Sequence, residues 1–218
     1  MKLLTLVIVG VAIMNVACED PAANKSRATT AQPSVNTTAN VSNSAPVAAK
    51  GDVLPVTPEN SKIEFVGSKV TGRHDGGFKA FSGTIDLVNG KAEESTVSVE
   101  IDMNSVFSDN ADLTEHLKSP DFFDVAKFQK ATFTSTKIVA DTAKGANNFN
   151  VTGDLTLHGV TKSVTFPATI NINETEVAVN ADFAINRKEF AIVYAGMADD
   201  LIRDDVALKL ELKAPRKN

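Results

Sequence analysis

Cysteine is almost missing from this chain, since Cys18 is the only one among 218 residues. A lone cysteine cannot form a disulfide within the chain, and no second thiol is present to act as a nucleophile. Tryptophan is absent, and no apolar run reaches the ~20 residues that a membrane-spanning helix needs. Lys and Arg are not clustered and the net charge is −5, which argues against nucleic acid as a partner because phosphate binding requires grouped basic residues.

Catalytic motifs are missing as well. The sequence has no Gly-x-Ser-x-Gly elbow and no Gly-rich phosphate loop between a strand and a helix. We therefore expect neither enzymatic activity nor a cofactor. The histidines, His74, His116 and His158, do not follow a local metal-ligand spacing. If they converged in space they could bind Zn²⁺ with an open position, and a metal-dependent enzyme of the cell envelope is the alternative this leaves.

The N-terminus has the features of an export signal. Lys2 supplies a positive charge, and residues 3–14 form a short apolar run of the length typical of a secretory h-region. Small residues precede Cys18, as in a lipobox, so we predict a signal peptide over residues 1–17 and a lipidated Cys18. The protein would then be a lipoprotein anchored in a membrane on the periplasmic side of the cell envelope. An unmodified cysteine in an ordinary cleaved signal is the plainer alternative.

Residues 18–50 contain no aromatic residue and no apolar periodicity. Their Ala, Thr, Ser, Asn and Pro content cannot bury enough apolar surface to offset the entropy lost on ordering. We predict that this segment is a disordered linker between the lipid anchor and one folded domain over residues 51–218.

The folded domain alternates apolar and polar residues with a period of two, which indicates strands with one buried face. Four stretches carry the pattern most clearly, at 95–103, 164–172, 177–185 and 206–212. Weaker strands are predicted at 61–70, 79–88, 129–140 and 148–157, which makes roughly eight strands in all. The fold class is therefore all-β.

One segment departs from this pattern. Residues 112–119 predict a short helix, since Leu113 and Leu117 stack at i, i+4 and Pro120 ends the run. Long antiparallel strands form either a sandwich or a closed barrel. We favour a barrel because closure removes edge strands, and the short helix would cover one end. Such a barrel either encloses a ligand or is filled by its own side chains, and periodicity does not distinguish the two. A filled barrel would act as an interaction module.

Several segments, in order along the chain, are similar to signatures of one family. These are Gly77–Phe78 with Phe81–Gly83, His116–Asp124, Leu155–Lys162 and Asn186–Phe190. Together they resemble the YceI-like family over nearly all of residues 53–214. The chain departs from the family pattern at Gln129, where proline is frequent, and at Ala191, where glycine is frequent.

The resemblance implies a lipocalin-like antiparallel barrel that binds a polyisoprenoid or similar amphiphilic lipid and has no established catalytic activity. The partner would be a long-chain isoprenoid or fatty-acyl lipid, because burying each CH₂ contributes about 0.8 kcal/mol. Arg187 follows an apolar strand and could bind a ligand head group; the alternative is an ion pair with a nearby acid. We expect the apolar lining to consist of Val97, Val99, Ile101, Phe166, Ile170, Val179, Phe183, Leu208 and Leu210.

Overall fold

Alternating apolar residues form long antiparallel strands in the computed structural model, which describes residues 20–33 and 51–216. The expected signal peptide (residues 1–17) and Cys18 lie outside the described residues. The strands are β1 (Ser26–Arg27), β2 (Thr29–Ala31), β3 (Asp52–Val56), β4 (Lys62–Lys69), β5 (Gly72–Phe78), β6 (Phe81–Leu87), β7 (Thr96–Asp102), β8 (Val106–Ser108), β9 (Lys130–Ala140), β10 (Asn148–Leu157), β11 (Val160–Ile172), β12 (Glu176–Asn186), β13 (Gly196–Met197), β14 (Asp200–Leu201) and β15 (Asp205–Pro215). Within those ranges one α-helix, α1 (Ala111–Lys118), accompanies 3-10 turns at Ala92–Glu94, Met103–Ser105, Thr142–Lys144 and Arg187–Phe190.

The strands pair in a ring. β5 and β6 are two parts of one bent strand, because both pair with β7 and β8, which only the 3-10 turn Met103–Ser105 separates. Phe78 lies opposite Val106 and Phe81 opposite Ile101. From β4 the pairing then runs through β5–β6, β7, β9, β10, β11, β12 and β15 and returns to β4. Counted this way the wall has about eight strands, and the predicted all-β lipocalin-like fold is confirmed.

The alternation seen in the sequence sets which side chains enter the barrel. In β11, Val164, Phe166, Ala168 and Ile170 are buried while the residues between them are half-exposed. β12 follows the same rule, and its inward side chains join those of β11 in a single apolar core. Since successive strand side chains point to opposite faces, one register fixes the whole inner wall.

A gap in the wall is filled by the N-terminal segment. β11 and β12 pair with each other only at residues 169–172 and 177–180. Beyond that point β1 pairs with β12 and β2 with β11, and Ala28 is buried between them in the main core. The linker prediction for residues 18–50 thus differs from the structure over residues 20–33. Backbone hydrogen bonds to β11 and β12 order this segment. Such bonds form without any apolar periodicity in the segment itself, so the sequence pattern does not reveal them.

Helix α1 covers one end of the barrel, as predicted. Asn110 caps it by accepting a hydrogen bond from the Leu113 backbone N–H at 2.9 Å, and Leu117 is buried beneath it. The loop after the helix, the β10–β11 hairpin and residues 191–204 complete the same end, which we call the helix end. In the part of the chain that the structure describes, no helix is long and apolar enough to cross a membrane.

Candidate functional site: an apolar cavity in the barrel

The barrel encloses a cavity of ≈ 220 Å³. Its lining is apolar: the wall strands contribute aliphatic and phenylalanine side chains, and the helix end contributes more of the same kind. Among the described residues that line it, Arg187 is the one that carries a charge. Apolar lining with few polar groups is typical of sites that hold apolar small molecules. A space of this size is far larger than the small voids of an ordinary packed core.

All nine residues that we predicted from alternation lie on the cavity wall. They come from four strands, β7, β11, β12 and β15, which share the inner face. Ile101, Leu208 and Leu210 are only partly buried, because they face the open space. Ile170 and Val179 lie directly opposite each other in the β11–β12 register, and Phe183 faces Leu208 in the β12–β15 register.

The phenylalanine rings that line the cavity form two groups. In the middle of the barrel the rings of Phe166 and Phe183 stack with centroids 4.2 Å apart and planes within 6°. Towards the helix end Phe78 contacts both Phe65 and Phe123, at centroid distances of 5.9 and 6.1 Å. Flat ring faces along both parts of the cavity suit a chain that lies lengthwise in it.

Sequence reasoning missed the part of the cavity at the helix end. The side chains of Phe65, Leu117, Phe122, Ile192 and Ile202 line it there. Of these, only Phe65 lies on a strand, and its stretch had been recognised as a weaker strand. The others come from the helix and from loops, where no period of two exists. The sequence signal for these residues is that they are apolar although they lie in otherwise polar segments.

Arg187 is buried, and its donors are taken by the protein itself. Nη1 donates to the carbonyl of Ile192 at 2.8 Å and Nε to that of Arg203 at 3.1 Å. Nη2 lies 3.4 Å from the carbonyl of Ile202 and 3.5 Å from a carboxylate oxygen of Asp204. Burial lowers the pKa of Arg187, and Asp204 opposes that change. The structure therefore shows the ion-pair alternative: the arginine fastens the loop of residues 192–204, and these contacts engage the groups that a ligand head group would need.

The histidines do not meet. His74 Nδ1 is 2.8 Å from Asp109, and His116 Nε2 is 2.8 Å from Asp121. His158 Nδ1 is 3.2 Å from the carbonyl of Phe190. Burial raises the pKa of Asp109, but hydrogen bonds from His74 and a backbone N–H outweigh it, so the pKa is lowered overall. Over residues 20–33 and 51–216 no group of three or more His, Cys, Asp or Glu could hold a metal ion.

Three of the segments that resemble family signatures, at residues 116–124, 155–162 and 186–190, come together at the helix end. His116 packs edge-on against Phe122 and Tyr194, with ring centroids 4.9 and 5.2 Å apart. His158 and Gly159 form the β10–β11 turn with positive φ values of 50° and 74°. A side chain at Gly159 would begin 2.5 Å from the Phe128 ring, so the turn and the loop before β9 fit only without one.

Comparison with known proteins agrees with the family resemblance. The profile of the YceI-like domain matches residues 55–214. The chain belongs to the YceI-like family. A UPF0312 protein of Pseudomonas fluorescens (strain SBW25) is 37% identical over 140 residues, covering 62% of this chain and 71% of that protein. A UPF0312 protein of Vibrio parahaemolyticus is 42% identical over 110 residues, which cover 50% of this chain and 54% of that one.

Solved structures share the YceI-like fold. BcnA of Burkholderia cenocepacia superposes with a TM-score of 0.63 at 28% identity, covering 73% of this chain and 99% of that one. A YceI protein of Campylobacter jejuni gives 0.55 at 27% identity, over 66% and 85% of the two chains. A domain of Saccharophagus degradans described as polyisoprenoid-binding gives 0.60 at 19% identity, over 76% and 100%, a likeness of fold.

Proposed function

We propose that this protein binds the apolar chain of a long-chain lipid, an isoprenoid or a fatty-acyl chain, inside its barrel. The observation that carries the proposal is the apolar cavity, whose lining combines the eight strands of the wall with the helix end. A void of ≈ 220 Å³ left empty would cost on the order of 5 kcal/mol, at roughly 24 cal/mol per Å³. An apolar chain would restore the missing contacts and would itself leave water.

The cavity volume limits the size of the chain. At about 25–30 Å³ for each carbon-sized group, ≈ 220 Å³ has room for roughly 7–9 such groups. That corresponds to about half of a long fatty-acyl chain or to one or two isoprene units. A longer acyl or isoprenoid chain would have to leave part of its length outside the barrel. A solved domain with this fold is described as polyisoprenoid-binding, which supports the isoprenoid as a ligand class for such a cavity.

Binding without catalysis is the activity that the lining supports. A reaction needs a nucleophile, an acid–base group or a metal within reach of the substrate. Among the described residues that line the cavity, only Arg187 is charged, and its donors contact loop carbonyls. We therefore propose a carrier or a reservoir, located in the cell envelope and anchored through a lipid on Cys18.

The experiment uses Gly67, which lines the cavity on β4. A Cβ atom placed there would meet nothing within 4 Å, so a leucine enters open space instead of clashing. Gly67→Leu removes room for about four carbon atoms, worth about 3 kcal/mol of burial at 0.8 kcal/mol each. We expect on the order of 100-fold weaker binding of a 16- to 18-carbon chain and a shift towards shorter chains. Titration with fluorescent fatty acids of graded length measures both.

Gly72→Leu is the matched control. A Cβ at Gly72 also meets nothing within 4 Å, but the residue does not line the cavity. This variant should bind every chain length as the natural protein does. Equal binding by Gly67→Leu and Gly72→Leu, with both proteins folded, would show that the chain does not enter the barrel and would reject the proposal.

A further inference from the structure

Exposed apolar side chains are concentrated at the helix end. In the part of the chain that the structure describes, six large apolar residues are exposed, and four of them lie there. Val70 is at the β4–β5 turn, and Val193, Met197 and Leu201 belong to the loop of residues 191–204; Val193 and Met197 are each 64% exposed. We call these four residues the apolar tip. Grouped exposed apolar residues mark interaction surfaces, whereas scattered ones need no explanation.

Backbone contacts hold the apolar tip together. The Val70 N–H donates to the carbonyl of Leu201 at 3.2 Å, and Met197 lies opposite Asp200 in the β13–β14 hairpin. Lys69 forms an ion pair with Asp200, and a hydrogen bond from Lys69 lowers the pKa of that carboxyl group. The tip is thus an ordered surface formed by the β4–β5 and β13–β14 hairpins, which these contacts join.

The same backbone segments form one end of the cavity. Ile192 and Ile202 line the cavity. Each is adjacent in sequence to a residue of the apolar tip, Ile192 to Val193 and Ile202 to Leu201. Whatever contacts the tip therefore lies next to the end of the lipid site. An apolar chain that moved between the two would cross one layer of loop.

The N-terminal segment leads to this end as well. Asp20 forms an ion pair with Arg203 at 3.4 Å, and Ala22 is buried against Ala184 and Ala207 on the outer face of the wall. Cys18 precedes Asp20 by two residues, which span at most about 7 Å of chain. A lipid on Cys18 would therefore keep the helix end within a short distance of the bilayer.

We propose that the apolar tip is a membrane-docking surface that seats the helix end, and with it the end of the cavity, on the lipid bilayer. The inference rests on the proposed function for the lipid anchor on Cys18. Charges around the tip are mostly paired: Lys69 with Asp200, Arg203 with Asp20, and Lys188 with Asp204. The exposed Arg73 and Asp199 add one charge of each sign, so apolar insertion and not attraction to anionic lipid drives docking.

The test places a dye on the tip of the full chain. Met197→Cys, purified with its natural N-terminus in detergent, is labelled with a polarity-sensitive dye and reconstituted into phosphatidylcholine vesicles. Some of the lipids carry a nitroxide quencher on their acyl chains. We expect blue-shifted emission and strong quenching, and a labelled mass that shows one dye per chain because the sulfur of a lipidated Cys18 is not free. Val139→Cys, an exposed valine on the β9–β10 hairpin far from the tip in the pairing order, is the matched control and should stay unquenched.

The outcomes separate docking from cargo binding. Equal quenching at positions 197 and 139, or none at either, would overturn the proposal, since the barrel would then have no fixed face towards the bilayer. Two dyes per chain would also overturn it, because a second dye would show that the Cys18 sulfur is free and carries no lipid anchor. Val193→Ser combined with Met197→Ser should slow uptake of a fluorescent lipid from vesicles without changing its equilibrium binding in detergent. An unchanged uptake rate would count against docking and would leave the cavity proposal standing. If the natural protein bound no lipid in detergent, the cavity proposal alone would be rejected.

Discussion

At the scale of single residues, Ala191 shows how a local departure from the family pattern affects the backbone. It follows the 3-10 turn of Arg187–Phe190 and adopts φ of 58° and ψ of 19°, the left-handed region. That conformation costs a residue with a Cβ about 1–2 kcal/mol, whereas glycine adopts it freely. The sequence predicts a departure at this position, but the strain becomes visible only when the backbone angles are known.

Ala191→Gly should therefore stabilise the protein. Relief of the left-handed strain exceeds the extra entropy of glycine in the unfolded chain by about 0.5–1 kcal/mol, which raises the melting temperature by about 1–4 °C. Thermal unfolding followed by circular dichroism measures it. Ala126→Gly, at an exposed position without a positive φ, is the control and should lower the melting temperature. A decrease for both variants would contradict the account.

Arg187 marks the limit of residue-level prediction from sequence. The nine apolar residues were predictable because strand side chains alternate, so one buried residue determines its neighbours. Arg187 follows the last strand residue before a turn, where alternation ends. Its contacts with the carbonyls of residues 192, 202 and 203 depend on the fold of a loop that no periodicity describes.

At the scale of elements, the N-terminal strand pair is the feature that the sequence did not reveal. Strands β1 and β2 have two and three residues, with no apolar pattern, and such a segment alone predicts disorder. Its order comes from the gap between β11 and β12, which offers unpaired backbone groups on both sides. Ion pairs of Lys25 with Asp182 and Arg27 with Asp205 fix its register.

Ala28→Asp should release this segment from the wall. Ala28 is 7% exposed within the main core, and its N–H donates to the carbonyl of Ala184 at 2.8 Å. A carboxylate there would be buried without a partner, so we expect a loss of about 2–3 kcal/mol and faster hydrogen exchange over residues 26–31. Ala31→Asp, on an exposed position of the same segment, is the control. Unchanged exchange in Ala28→Asp would mean that the segment does not close the gap.

At the scale of the whole molecule, the barrel was predictable and its interior was not. Alternation in eight stretches identifies the inner face, and a closed barrel is favoured because closure removes edge strands. Whether the inner face meets other side chains or open space depends on the summed volumes around the ring, which periodicity does not report. Position 67 illustrates this: a glycine on an inward face leaves space that larger residues elsewhere do not fill.

The proposed lipid on Cys18 would determine where the whole molecule resides. Cys18→Ala should move the protein from the membrane fraction to the soluble fraction, because the proposed acyl chains would supply the stable attachment and the apolar tip alone would add only a weak contact. Fractionation followed by a high-salt wash measures the change. Asp20→Asn, which weakens the ion pair with Arg203 but keeps the cysteine, should stay with the membrane. Retention of Cys18→Ala after the wash would refute the lipid anchor.

The central claim is that the barrel carries a lipid chain, and native mass spectrometry of the full chain purified from a bacterial host tests it most directly. The account predicts an added mass in stoichiometric amount which, after denaturation, is released as an isoprenoid or fatty-acyl species, and which is reduced in Gly67→Leu but not in Gly72→Leu. An apo mass that persists after incubation with long-chain lipids would contradict the claim.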